Sequence, residues 1–206
     1  IINATHMVVS KLLTKKYKAS SPRTPKNLKD NQFSPFAIEI IRALKKSNHQ
    51  AYLVGGCVRD LLVGIKAKDF DISTNATPEE VRKIFKASRI IGKRFRLVHV
   101  FKRNELIEVS TFRANESKSK NISEVIKDID GKILRDNVWG TLEEDCLRRD
   151  FSVNALYFDP TKNILRDFHN GLQHIQKKIL VSIGDPLVRF EEDPVRSLRA
   201  VRFSSK

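Results

Sequence analysis

The chain has 206 residues, 40% of them hydrophobic, and 39 Lys and Arg against 24 Asp and Glu, a net charge of +15. There is enough apolar material for a core, which excludes wholesale disorder, and the positive excess makes a polyanion, above all nucleic acid, the expected partner. Cys57 and Cys146 are too few for a disulfide framework and lack zinc-ligand spacing, and no apolar run reaches the roughly 18 residues of a membrane span, so a soluble protein of a reducing cytoplasm with no membrane partner is expected.

Residues 1–33 carry Lys11, Lys15, Lys16, Lys18, Arg23, Lys26 and Lys29 with Pro22 and Pro25, and read as a basic flexible arm or an expression remnant. The chain starts at Ile1 and stops at Lys206 inside a helical pattern, so a fragment of a longer product is expected. From Ser34-Pro35 onward, Phe36, Ile40, Ile41 and Leu44 recur at helical spacing. Ala51 to Val54 reads as a strand ending at Gly55-Gly56, followed by a helix with an apolar stripe at Val58, Leu61 and Leu62 that Gly64 stops. Asp69 to Ser73 alternates as a strand, and Thr77-Pro78-Glu79-Glu80 supplies an N-cap, a first-turn proline and a capping-box glutamate for the next helix. Leu97 to Lys102 and Leu106 to Phe112 form a hairpin around Arg103-Asn104-Glu105. Ala114 to Gly140 is polar and interrupted, which predicts a loop. Order resumes at Leu147 to Phe158, with further strands near Ile164 to Arg166 and Ile179 to Ser182 and a last helix from Asp193-Pro194. Mixed strands and helices without an internal repeat make an α/β or α+β domain.

Three carboxylates carry the chemistry. Asp69 and Asp71, at i and i+2 of a strand, leave on one face while Phe70 and Ile72 turn into the core, with Cα atoms about 6 to 7 Å apart. At that distance two like charges repel by roughly 1 to 3 kcal/mol, depending on the local dielectric, and a divalent cation between them reverses the sign. Glu108 alternates with Ile107 and Val109 on the second hairpin strand and would complete a two-metal site if it lay beside them. Each acid also reads as an ordinary solvated strand residue. Upstream, the Gly55-Gly56 turn between strand and helix offers bare backbone N–H groups suited to a phosphate.

Leu53-Val54-Gly55-Gly56-Cys57-Val58-Arg59-Asp60-Leu61-Leu62, followed by Lys68-Asp69-Phe70-Asp71, resembles the nucleotidyltransferase domain of the polymerase β superfamily, in the branch of bacterial poly(A) polymerases and tRNA CCA-adding enzymes. Glu143-Glu144-Asp145 to Arg148-Arg149-Asp150-Phe151-Ser152-Val153-Asn154-Ala155-Leu156 resembles the branch's nucleotide-sugar block, with Ser152 where Thr is usual. Asp167 to Leu172 resembles its hinge block, and Arg189 to Arg196 with Leu198 to Phe203 its base-selecting block. Ile90 to Val100 resembles the segment that marks poly(A) polymerases within the branch. The resemblance implies a head domain over 34–175, with a mixed sheet flanked by helices, and the start of a helical neck over 176–206. It also implies addition of AMP from ATP to RNA 3′ ends, as in mRNA polyadenylation, with pyrophosphate released. CCA addition to tRNA is the alternative, and a non-catalytic RNA-binding domain is a third reading that the intact carboxylates oppose.

The resemblance further implies that Asp69 and Asp71 hold magnesium or manganese ions, with Glu108 as the third carboxylate. Gly55, Gly56 and Arg59 would meet the triphosphate, Arg149, Asp150 and Asn154 the phosphate and ribose, and Arg199 phosphate. Arg149 also reads as one more solvated charge, and Asp150 as a helix cap. In the last helix, Val195, Leu198 and Val201 form an apolar stripe expected to pack, leaving Asp193, Arg196, Arg199 and Arg202 on another face. Asp193 and Arg196 could then present an acceptor and a fork of donors to a base edge, or simply cap the helix and pair with each other.

Overall fold

The computed structural model describes residue 28 and residues 32–92, 95–114, 125–127, 133–136 and 138–204. Most of the basic arm (1–27 and 29–31), Lys93 and Arg94 of the poly(A)-marking segment, and much of the polar stretch after Ala114 lie outside the described residues.

Helix α1 (Pro35–Lys46) begins as its sequence dictates: the Ser34 hydroxyl accepts the backbone N–H groups of Phe36 and Ala37, both at 3.1 Å. Its stripe of Ile40, Ile41 and Leu44 is fully buried, each side chain stabilising the fold by roughly 1.5 to 3 kcal/mol. It packs over a seven-stranded sheet in the order β3-β4-β5-β2-β1-β8-β9. Those strands are β1 (Ala51–Val54), β2 (Asp71–Thr74), β3 (Ser88–Ile91), β4 (Leu97–Lys102), β5 (Glu105–Thr111), β8 (Leu156–Asp159) and β9 (Ile164–Asp167). Only β2 and β5 run parallel; every other neighbouring pair is antiparallel. Helix α2 (Gly56–Leu62) follows β1, and α3 (Pro78–Ile84) follows β2 with both halves of the Thr77–Glu80 capping box formed. On one face of the sheet, Leu53, Ile72, Ile107, Val109, Leu156, Phe158 and Leu165 meet α1, α2 and α3.

The opposite face carries a smaller core of Val54, Phe112, Tyr157, Leu142 and Cys146, closed by α4 (Leu142–Arg148). Past it come a 3-10 turn at Ser152–Asn154, α5 (Gly171–Lys177), α6 (Pro186–Glu192) and α7 (Val195–Ser204). Leu28 and Phe33, which the sequence reading assigns to the arm, belong to the main core, where Phe33 stacks on Phe158 at 5.2 Å.

Four expectations are corrected. The strand predicted from Asp69 pairs only from Asp71, so Asp69 is an exposed residue leading into β2. The stretch read as loop contains a two-stranded pair, β6 (Val125–Lys127) with β7 (Ile133–Asp136). Ile179 to Ser182 forms a single bridge, Phe151 to Ser182, rather than a strand, because its partner segment bends into the 3-10 turn. The stripe of α7 does not pack: Val195, Leu198 and Val201 are 55%, 70% and 70% exposed. Instead Ala200 is buried and Phe203 half-buried. Phe203 lies edge-on to Phe151 at 5.8 Å, with the guanidinium groups of Arg59 and Arg199 at 5.0 and 5.3 Å from its ring centre. Those contacts decide which side of α7 turns inward.

Candidate active site

The parallel pairing of β2 with β5 sets Asp71 directly beside Glu108. Because side chains alternate along strands, one row across the second face reads Tyr157, Val54, Asp71, Glu108 and His99, from β8 to β4. Glu108 and Asp71 are like charges in a directly opposed pair, an arrangement that is costly without a counter-charge. Burial, then Glu108 and Asp69, push the Asp71 carboxyl up to about 6 against the pull of Arg149. Both other predicted acids therefore act on Asp71, which lies at the centre of the three. Among the described residues no three His, Cys, Asp or Glu side chains already converge as a metal cage. Glu108 instead reaches His99, its cross-strand neighbour, at 3.2 Å between Nε2 and Oε1.

Gly55 sits at the end of β1 with φ 76° and ψ −132°, a conformation that side chains strongly disfavour. A Cβ built there would lie 3.7 Å from Arg149 Nη1 and 4.0 Å from Asp71 Oδ2, so the turn, the arginine and the central acid enclose one space. A Cβ on Gly56 would lie 3.7 Å from Arg59 Nη2. Arg59 is held by Asp60 Oδ1, at 2.9 Å from Nε and 2.6 Å from Nη2, and its Nη1 donates to Asn154 Oδ1 at 2.6 Å. Asn154 Nδ2 donates to Asp150 Oδ1 at 3.2 Å, and Arg199 Nε donates to Asp150 Oδ2 at 2.6 Å. Four residues singled out from sequence thus form one polar chain from α2 to α7. Asp150 caps no helix; its oxygens serve Phe151 N–H, Asn154 and Arg199.

Arg149 is not a solvated charge. It ends α4, and its Nε and Nη2 donate to Tyr157 Oη at 2.8 Å and Asp145 Oδ2 at 3.3 Å. Burial works against the Arg149 cation, but Tyr157 and Asp145 outweigh it and hold the group charged above its ordinary range. Arg149 also lines a cavity of about 310 Å³ with Arg113, Arg148, Arg196, Asp145 and Ser110. Ser110 is two residues beyond Glu108 on the same side of β5, so this arginine-rich cavity continues the carboxylate row. Arg196 reaches the cavity from α7, where Nη1 is held by the Arg189 carbonyl at 2.9 Å and Glu192 at 3.0 Å. Its side chain does not pair with Asp193. Asp193 is exposed, and its Oδ1 accepts the N–H of Val195 at 3.2 Å, so it stands apart from these hydrogen-bond networks.

Sequence reasoning gave no individual role to His99, Tyr157, Asp145 or Arg189, although Asp145 and Arg189 lie inside two of the blocks that carry the resemblance. Arg189 Nη2 donates to the carbonyls of Arg148 and Arg149 at 2.7 and 3.2 Å, tying α6 to the end of α4. The Thr141 to Glu144 capping box was a readable signal for α4, and the spacing from Asp145 to Arg149 is a helical ion pair. Nothing local marks Tyr157 as more than a core aromatic.

Residues 51–181 match the model of the poly(A) polymerase head domain. Poly(A) polymerase I of Haemophilus influenzae is 47% identical over 181 residues, covering 87% of this chain and 40% of that protein. The CCA-adding enzyme of Bacillus velezensis is 39% identical, covering 82% of this chain and 40% of its own length. Among solved structures, the Bacillus stearothermophilus CCA-adding enzyme in complex with CTP superposes with a TM-score of 0.69 at 36% identity, over 84% of this chain and 40% of that one. The chain thus spans about 40% of the length of the relatives it matches. Its mixed sheet, its Gly55-Gly56 turn and the match over residues 51–181 place it in the poly(A) polymerase head-domain family.

Proposed function

We propose that this chain is the nucleotidyltransferase head of an enzyme that adds AMP from ATP to RNA 3′ ends. The observation that carries the reading is the Asp71 and Glu108 pair on one sheet face, enclosed with the Gly55 turn and Arg149. The donor set suits a hard divalent cation: the acids offer only oxygen, and the charge crowding that pushes Asp71 up to about 6 is what a cation would relieve. Asp69 and Asp71 would hold Mg²⁺ or Mn²⁺, with Glu108 alongside. When bound, the ions lower the pKa of the RNA 3′ hydroxyl and neutralise charge on the leaving pyrophosphate.

The protein's own residues bind and orient. The Gly55-Gly56 turn, bare of side chains, lets the triphosphate approach the backbone, with Arg59 and Arg199 flanking it. Arg149 Nη1 meets developing charge near the α-phosphate, and Asp150 and Asn154 orient the ribose. The RNA 3′ hydroxyl gives up its proton to water, its oxygen forms a bond to the α-phosphorus, the bond from that phosphorus to the α–β bridging oxygen breaks, and pyrophosphate departs with the electron pair. Arg196, and by resemblance Asp193, would read the base, giving nucleotide choice without a template. The net charge of +15 supports RNA as the acceptor, because phosphate contacts dominate such affinity.

The higher identity to the polymerase relative favours AMP addition. CCA addition is a second reading, favoured by the fold match to a CCA-adding enzyme. Incubating the longest soluble form with a short RNA, or with tRNA lacking its end, and each of the four nucleotides separates them by product length. Long products with ATP alone support the proposal; products of one to three residues requiring CTP support the second reading; no incorporation rejects both.

A further inference from the structure

Tyr157 is wholly buried on β8, opposite Val54 and next to the Gly55 turn, yet its hydroxyl is not idle. It donates to Asp145 Oδ2 at 2.7 Å and accepts Arg149 Nε–H at 2.8 Å. Burial pushes that hydroxyl well above its ordinary 10, so it keeps its proton and remains a donor to the carboxylate. Asp145 is itself fixed: Oδ1 accepts the Arg113 backbone N–H at 3.2 Å, and Oδ2 lies 3.4 Å from Ser73 Oγ, on the strand that carries Asp71. The triangle closes with Arg149 Nη2 at 3.3 Å from Asp145 Oδ2. Two of the three guanidinium nitrogens are thereby tied down on the buried side, and Nη1 is the one that faces Gly55 and Asp71. An arginine side chain otherwise loses considerable rotamer freedom when it engages a ligand; here that ordering is done by the fold.

We infer that Tyr157 and Asp145 are positioning residues that preorganise Arg149, so that its Nη1 is aimed at the phosphates of a nucleoside triphosphate before the nucleotide arrives. The inference rests on the nucleotide-binding reading of the Gly55 turn. Tyr157 is fully buried, and both Asp145 oxygens are engaged by the protein, so each acts through Arg149. Tyr157→Phe removes one oxygen and leaves the ring that packs against Val54 and Phe112, and Asp145→Asn is a second, independent variant that keeps the shape of the side chain.

The test is a thermodynamic cycle on the 206-residue chain. ATP dissociation constants are measured by calorimetry in magnesium buffer for wild type, Tyr157→Phe, Arg149→Ala and the double variant, with melting temperatures alongside. Loss of a hydrogen bond to a charged group predicts roughly tenfold weaker ATP binding for Tyr157→Phe. In the Arg149→Ala background the same change should have no effect, because there is no guanidinium left to aim; Asp145→Asn should behave alike. A tenfold loss that persists in the Arg149→Ala background identifies a merely structural role and overturns the inference while leaving the nucleotide site intact. Unchanged binding by Tyr157→Phe overturns it as well. A wild-type chain that binds no ATP instead refutes the nucleotide reading itself, and the inference falls with it.

Discussion

Replacing Gly55 by Ala tests the turn on which the site depends, and the adjacent Gly56 provides an internal control. At φ 76° and ψ −132°, Gly55 occupies a region that any side chain enters at a cost of about 1 to 3 kcal/mol. For a chain of 206 residues each kcal/mol lowers the melting temperature by roughly 2 to 4 °C, so Gly55→Ala should melt about 2 to 12 °C below wild type. Gly56, the first residue of α2, has no such strain, and its Cβ would meet only Arg59 Nη2 at an ordinary 3.7 Å. Gly56→Ala should therefore melt at or above the wild-type temperature, gaining up to ~1 kcal/mol from reduced backbone freedom in the unfolded chain. For ATP the two variants converge. Each adds a methyl group where, on the proposed reading, phosphates approach the backbone, and each should then weaken binding by more than about tenfold, or ~1.4 kcal/mol. Differential scanning fluorimetry and calorimetry read the two effects separately. Gly55→Ala melting with wild type and binding ATP undiminished would refute the account of the turn.

Three further outcomes follow from the charges. In chelator, Asp71→Asn should stabilise the protein by about 1 to 3 kcal/mol at pH 8, because the folded carboxyl, pushed up to about 6 against an ordinary 3.8, is disfavoured when ionised. As pH rises from about 4 to 6 the wild type should accordingly lose stability relative to the variant, a difference read by chemical denaturation of the two proteins side by side. His169 runs the other way: burial lowers it from 6.5 to about 4, so the unfolded chain takes up a proton in that window that the fold refuses. Its contribution, about 3 kcal/mol at most, is full above pH 6.5 and lost as pH falls toward 4, and His169→Gln should flatten that limb of the stability curve. RNA binding, if carried by the net charge of +15, should weaken steeply with salt and vary little with sequence; an affinity indifferent to salt would exclude it.

Local signals were legible where local physics decides the outcome. The helix start at Ser34-Pro35, the Thr77 cap, the strand before Gly55 and the alternation of Ile107, Glu108 and Val109 each depend on residues within a few positions, and each forms as read. Glu108 could be put on the right face of its strand, but its contact with Asp71 depends on a parallel pairing between segments 37 residues apart, which no local pattern encodes. Tyr157 was hidden for a related reason, since in Leu156-Tyr157-Phe158 a hydroxyl with two specific partners looks the same as core filling. The inverted face of α7 has a different cause. Its surface offers both an apolar stripe and a row of arginines, and Phe203 with Arg59, and Arg199 with Asp150, determine which one turns toward the head.

The central claim is that the acids beside the Gly55 turn serve one phosphoryl-transfer site. Pyrophosphate release from ATP in the presence of RNA and magnesium, compared among wild type, Asp69→Ala and Asp71→Ala, addresses it most directly. Loss of a ligand to the reacting centre predicts rates at least about a hundredfold below wild type, equivalent to ~3 kcal/mol of transition-state stabilisation, with melting temperatures unchanged or raised. Retention of more than about a tenth of the wild-type rate by either variant would contradict the account.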